Sequence, residues 1–346
     1  MKTDIITKAY VQDAGIFADI FNGYIYGGRQ VIQPEQLSEK DSTELALPYG
    51  ADGALVPVQK FRDVKKLYSA KTDGRVQYIL FGAENQMNVH YAMPVKNALY
   101  DVMEYAKQVE EAARSHRREM EKKRGKRQSG TVNLEEERPN SGEFLSGFWK
   151  RDKLIPTVTL TIHFGAEKWD GPLSLYEMLD VPDPAILEFI DNYHVHLISP
   201  MLMTDEEIMK FQSSLREVMF FIKYSKDKAK LDGILEAHQE RFSWMERRAA
   251  DIIKAVTNSD IKYDEGEEHI DMCQAIQDMR RESREEGIAE GIAQGITQGI
   301  TEGIAMGETQ KAQQMARNFY EMGIDIERIA QGVGYALETV QQWLGL

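Results

Sequence analysis

The chain has 346 residues, 42% apolar and 28% charged, with a formal net charge of −14. That length suits about two folded units, and the single cysteine, Cys273, excludes an intramolecular disulfide and a cysteine zinc cluster. The acidic balance argues against gripping nucleic acid through bulk charge, although it leaves room for a local basic channel, and the absence of an apolar leader or of about 18 consecutive apolar residues supports neither export nor membrane spanning.

In chain order, Ile16 to Tyr26 reads as a short amphipathic helix, with Phe17, Ile20, Phe21 and Tyr24 at helical spacing and Gly27-Gly28 as its stop. A loop begins at Pro34. Two strand-like runs follow, Asp63 to Tyr68 and Val76 to Gln86, and Asp73-Gly74 between them is a strong hairpin signal because Gly accepts the positive φ of a tight turn. Met93 to Ala113 is helical, with Val95, Leu99, Val102, Met103 and Ala106 as the stripe expected to pack on the hairpin. Residues 114–150 read as a charged, partly disordered insertion, because strand character resumes at Val158-Thr159-Leu160-Thr161-Ile162, expected in the same sheet. After the turn Trp169-Asp170-Gly171-Pro172 the chain reads as helical to about Met279, and Thr204-Asp205-Glu206-Glu207 has the form of a capping box.

Chemistry concentrates on Asp63, Glu84 and Gln86. Two-residue alternation puts Glu84 and Gln86 on one face of their strand, and the hairpin brings Asp63 alongside. Neighbouring carboxylates are what a Mg²⁺-dependent phosphodiester cleavage needs: oxygen ligands hold the ion, which activates water and offsets charge developing on the phosphate. In that reading Asp63, Glu84 and the backbone carbonyl of Asn85 are the metal ligands, Gln86 orients the attacking water, and Mn²⁺ is the alternative ion. The same residues by spacing alone are also ordinary surface decoration. His194-Val195-His196 alternates as strand ligands do, but the run around it reads as helical, and no HExxH is present.

A co-linear series carries more than any one motif: Ala18-Asp19-Ile20-Phe21-Asn22, Pro34-Glu35-Gln36-Leu37, Arg62-Asp63-Val64, Glu84-Asn85-Gln86, Met93-Pro94-Val95-Lys96 through Tyr100, Ile155-Pro156-Thr157-Val158-Thr159-Leu160, and Trp169-Asp170-Gly171-Pro172-Leu173-Ser174-Leu175. With the glycine repeat near the end, this resembles the recombination-promoting nuclease (Rpn) family, also named for transposases, of the PD-(D/E)XK nuclease superfamily, from about Ala18 to Met306. The resemblance implies an α+β fold: a restriction-endonuclease-like core, with a mixed central sheet flanked by helices, ahead of a mostly helical C-terminal half. It also implies Mg²⁺-dependent DNA cleavage associated with recombination, in a bacterial cytoplasm. Asp63 matches the family's first metal-binding acid and Glu84 its second. Gln86 stands where the superfamily carries lysine, and the family commonly has Gln there. A neutral amide cannot do the work of an ammonium, so Lys96 is the candidate replacement cation, or else a solvated helix residue. Asp19, with Glu35 as alternative, matches the acid that the first helix often adds.

Four segments are expected: a nuclease-like core over 1–180 containing the insertion, a helical extension over 181–281, a glycine-isoleucine helix or linker over 282–308, and a small tail over 309–346 with the cadence of a helix-turn-helix. Gly287, Gly291, Gly295, Gly299, Gly303 and Gly307 recur every four residues, with Ile after the first five. Six glycines cost about 1 kcal/mol each in a helix, so pairing between subunits through this face and the tail, giving a homo-oligomer, is one reading; a low-complexity linker is the other. The tail from Tyr335 to Leu346 has no Lys or Arg, which speaks against a recognition helix on DNA. Against the nuclease stands a rival: a non-enzymatic oligomeric module that binds DNA or protein. A transposase with a three-acid site has no pattern of its own here.

Overall fold

A computed structural model of the chain describes residues 2–41, 43–46, 58–72, 75–127, 139–264 and 266–346. The expected hairpin turn Asp73-Gly74 and part of the charged insertion, 128–138, lie outside them.

The N-terminus forms α1 (Lys2–Gln12), absent from the sequence reading, and α2 (Ala14–Tyr26). Asp13 separates them by capping α2: its carboxylate accepts the N–H groups of Gly15 and Ile16 at 2.8 and 3.2 Å, satisfying donors that no earlier turn can reach. Gly27, at φ +62°, closes α2 in the left-handed conformation that glycine takes without strain.

After a 3-10 turn at Pro34–Gln36 come β1 (Leu37–Glu39), β2 (Thr43–Ala46), β3 (Val58–Phe61), β4 (Val64–Thr72) and β5 (Arg75–Gln86). Then follow α3 (Met93–Arg127), α4 (Ser141–Ser146), β6 (Thr157–His163) and β7 (His196–Ile198). Five strands make one mixed sheet in the order β1-β4-β5-β6-β7: antiparallel from β1 to β5, parallel from β5 to β7. β2 and β3 pair separately.

One sheet face is apolar. Phe21 of α2 meets Phe81 of β5 with ring centroids 4.2 Å apart, and Leu160 and Ile162 are buried among them. The other face is polar and lies beneath α3. Here the sequence expectation is met only in part: Met103 of the expected stripe is buried, but Val95, Leu99 and Val102 are exposed, and Asn97, Asp101 and Glu104 are buried instead. The cause lies in the sheet, whose Arg62 and Lys65 require carboxylate partners once dehydrated. Asp101 accepts from Arg62 at 2.8 Å, and Glu104 pairs with Lys65 at 2.5 Å. α3 also runs on to Arg127, through the first third of the segment expected to be an insertion.

The helical region is broken more often than its periodicity suggests: α5 (Asp205–Ile208), α6 (Leu215–Tyr224), α7 (Lys228–Ala237), α8 (Gln239–Phe242) and α9 (Arg247–Thr257). Ile186 to Tyr193, expected helical, holds only a 3-10 stretch within Pro184–Phe189, and His194 and His196 belong to extended backbone entering β7. The capping box at Thr204 and Glu207 is formed. No compact-unit boundary falls at residue 180, because β7 completes the sheet and α9 packs on α1; the compact unit is Met1–Ala275.

The second unit, Ile276–Leu346, is described by itself. It holds most of α10 (Met272–Glu321), one uninterrupted helix through the glycine repeat, then α11 (Ile326–Val333) and α12 (Leu337–Leu344). Ala316, Ile329, Ala330 and Val340 form its small core. No described helix is long and apolar enough to cross a membrane.

Candidate functional site

Glu84 lies near the end of β5 on the polar sheet face, paired in register with Thr161 of the central parallel strand β6. It is 1% exposed. Its Oε2 is 2.9 Å from Nζ of Lys96, and its buried Oε1 has no hydrogen-bond partner. Burial pushes the carboxyl up to about 7; Lys96 pulls it down and the neighbouring Asp63 pushes it up. A carboxylate so placed is charged only when a cation compensates it.

Asp63 sits just before β4 rather than within it. Its Oδ2 accepts the backbone N–H of Asn85 at 2.8 Å, which fixes the loop acid to the end of β5. The Gln86 carbonyl accepts from Phe164 on the β6 side; successive peptide groups alternate across a strand, so the Asn85 carbonyl projects from the edge that Asp63 occupies. Asp63, Glu84, the Asn85 carbonyl and Lys96 therefore meet at one end of the sheet. Gln86 follows Glu84 on the same face, in register with His163.

Two other candidates go elsewhere. Asp19 is no free metal ligand: its carboxylate accepts the N–H groups of Gln212 and Ser213, at 2.8 to 3.0 Å, and the Ser213 hydroxyl at 2.6 Å. It fastens α2 to the chain entering α6, an attachment tightened by Gly23, where a Cβ would stand 2.4 Å from the Phe211 ring. Glu35 is exposed in the turn before β1.

Lys96 occupies the first turn of α3, and its side chain is 26% exposed, so the site opens toward solvent there. Among the described residues no group of three or more His, Cys, Asp or Glu side chains converges as a metal cluster. The donor set still fits a hard, oxygen-preferring cation that keeps part of its water shell, since Mg²⁺ is commonly held by one or two carboxylates. An unpartnered buried Oε1 is a position such an ion would satisfy.

The sequence reading missed the polar network beside this site. Arg62 is 1% exposed and crosses the sheet to Thr159 and Asp101. Gly82 allows that crossing, because a Cβ there would stand 2.3 Å from the Arg62 guanidinium. Thr159 donates to Asp101 at 2.6 Å, Tyr193 donates to it at 2.7 Å, and Asn97 donates to Thr161 at 3.0 Å. The signal was available as Asn97, Asp101, Glu104 and Gln108, a second stripe at helical spacing.

Comparison with protein-family models, curated proteins and solved structures finds no match to this chain.

Proposed function

We propose that the chain is a metal-dependent DNA endonuclease that hydrolyses phosphodiester bonds with little sequence preference and promotes recombination. The observation that carries this reading is Glu84: a buried carboxylate with one oxygen unpartnered, the other on Lys96, and Asp63 next to it. Asp63, Glu84 and the Asn85 carbonyl would hold Mg²⁺ or Mn²⁺, which when bound supplies Lewis-acid stabilisation of the phosphate's developing charge. Gln86 orients the attacking water through its amide. Lys96, at the open side, receives the phosphate and supplies the charge that Gln86 lacks. The resemblance of the motif series to the Rpn family supports the same chemistry, and the glycine repeat with its tail is read as the self-association element of a homo-oligomer.

A second reading has its own support. Lys96 already neutralises one Glu84 oxygen, and no third acidic side chain converges there among the described residues. That arrangement also suits a catalytically inactive oligomeric module that binds DNA or protein.

Cleavage of supercoiled plasmid separates the two. The expected result is nicking that requires Mg²⁺ and falls at least a hundredfold in both Asp63→Ala and Glu84→Ala, a loss of about 2.7 kcal/mol of transition-state stabilisation. Absence of nicking with any divalent metal, or undiminished nicking by both variants, removes the enzyme reading.

A further inference from the structure

Two apolar projections leave the sheet at the end away from Glu84. β5, β6 and β7 run parallel, so Glu84 and Gln86 stand at the C-terminal end, while the chain leading into β6 and the chain leading into β7 both arrive at the other. Thr157 of β6 and Asn192 of the second leader line one cavity there. Neither projection enters the proposed nuclease chemistry.

The first projection is α4, where Phe144 is 74% and Leu145 88% exposed. It is held firmly. The capping box of Asn140 and Glu143 starts the helix, and Gly147, at φ +69°, passes so close to α3 that a Cβ would stand 2.6 Å from that of Ala113. Just beyond, Trp149 stacks on His116 with ring centroids 3.9 Å apart. The two acids of 141–154 are committed locally: Glu143 accepts the N–H groups of Asn140 and Lys150, and Asp152 pairs with His116 at 2.8 Å and accepts the N–H of Trp149. Lys150, Arg151 and Lys153 are exposed around it.

The second projection is the 3-10 stretch Pro184–Phe189. Its period of three residues puts Ile186 and Phe189 on one side, and they are 44% and 89% exposed. Tyr176 fixes the stretch by donating to the carbonyls of Leu187 and Ile190. The charge here has the opposite sign: residues 173–196 include no Lys or Arg, and Asp180, Asp183, Glu188 and Asp191 are exposed.

A lone exposed apolar side chain needs no explanation. A fixed aromatic anchor rimmed by charge has the anatomy of an interface, and its rigidity lowers the ordering cost of binding. The acidic half disfavours a polyanion or an anionic lipid surface over this end of the sheet. With one basic and one acidic half, the surface is complementary to itself: a two-fold axis sets each half against the other half of a second copy and repeats the contact. We propose that this end of the sheet binds a second copy of the chain, α4 of one protomer packing on the Pro184–Phe189 stretch of its partner and the reverse. The interface is independent of the nuclease reading and leaves Glu84 and Lys96 at the opposite end.

Energy transfer between full-length chains labelled at their N-termini tests the pairing. Every chain carries Gly291→Ala, Gly295→Ala and Gly299→Ala, so that pairing through the glycine repeat does not enter. One variant adds Glu188→Lys and Asp191→Lys, the other Lys150→Glu and Lys153→Glu. Each is expected to pair with itself at least tenfold more weakly than the parent does, and the two mixed to recover to within threefold of the parent, because both contacts then again join opposite charges. Both variants stay net negative, so bulk charge cannot draw them together. Phe144→Ser and Phe189→Ser, which change no charge, are expected to weaken self-pairing at least fivefold while thermal melting shows them folded. No transfer in the parent, equal transfer in the self and mixed pairings, or undiminished pairing by both serine variants overturns the interface.

Discussion

Glu84 couples its chemistry to the stability of the fold. An ordinary glutamate releases its proton near 4.5, whereas burial holds this one up to about 7. Between those values the folded protein binds more protons than the unfolded chain, so stability falls as pH rises. The contribution is whole below about 4.5 and is lost as pH passes through 7. A shift of roughly 2.5 units corresponds to about 3 kcal/mol. Denaturant unfolding measured from pH 4.5 to 8 is therefore expected to show the wild type losing about 3 kcal/mol relative to Glu84→Gln, whose amide does not titrate. Lys96→Met, which removes the cation that draws the carboxyl down, should move the loss to higher pH. A pH-independent difference between wild type and Glu84→Gln would mean that the carboxyl is not held protonated by burial.

At the scale of one element, α3 buries a polar stripe, Asn97, Asp101 and Glu104, alongside Met93, Tyr100 and Met103, and leaves part of its apolar stripe exposed. Three residues of its apolar stripe, Val95, Leu99 and Val102, are open while Met103 is buried, because Arg62 and Lys65 on the sheet below bind Asp101 and Glu104. Adjacent residues should thus behave in opposite ways on truncation. Asp101→Ala takes a carboxylate from a buried guanidinium 2.8 Å away and is expected to cost about 3 kcal/mol. Val102→Ala, on the open side, is expected to stay within about 0.5 kcal/mol. Equal costs in chemical denaturation would show that the buried ion pair does not dominate this interface. This partial inversion also marks where sequence reasoning stops. Periodicity revealed that Met93 begins a helix and that Thr157–His163 is a strand, since those signals are local. Which stripe of α3 faces inward depends on cations 39 residues before the carboxylates they bind, and β7 is a three-residue strand defined by its pairing with β6 rather than by its own composition. In the candidate site, the nearness of Asp63 to Glu84 was legible because a hairpin joins their strands, and Lys96 was named only as a cation to replace the lysine missing at Gln86. Asp19 was not, because its partners are the backbone N–H groups of Gln212 and Ser213, nearly 200 residues away.

The molecule as a whole divides between a unit built on long-range sheet pairing and one dominated by a single helix. In that second unit, α10 passes through six glycines with no atom within 4 Å of where a Cβ would stand, and Ile288, Ile292, Ile296, Ile300 and Ile304 are 56–58% exposed. An exposed helix gains nothing from glycine, and each costs about 1 kcal/mol against alanine. A second copy laid against the glycine face would offset that cost by close backbone approach and by covering the isoleucines. Geometry limits how far such pairing extends. At about 100° per residue a four-residue repeat advances roughly 40° each time, so the stripe winds around the helix and two copies must cross rather than run side by side. The triple variant Gly291→Ala, Gly295→Ala, Gly299→Ala separates propensity from pairing. Its helix should be intrinsically more stable, with more far-UV helical signal after dilution, yet methyl groups would hold a crossing partner away. Sedimentation is expected to give a mass above the monomer for the wild type and a shift toward the monomer for the variant. A wild type that is monomeric, or a variant with unchanged mass and higher helicity, would assign the repeat to the linker reading.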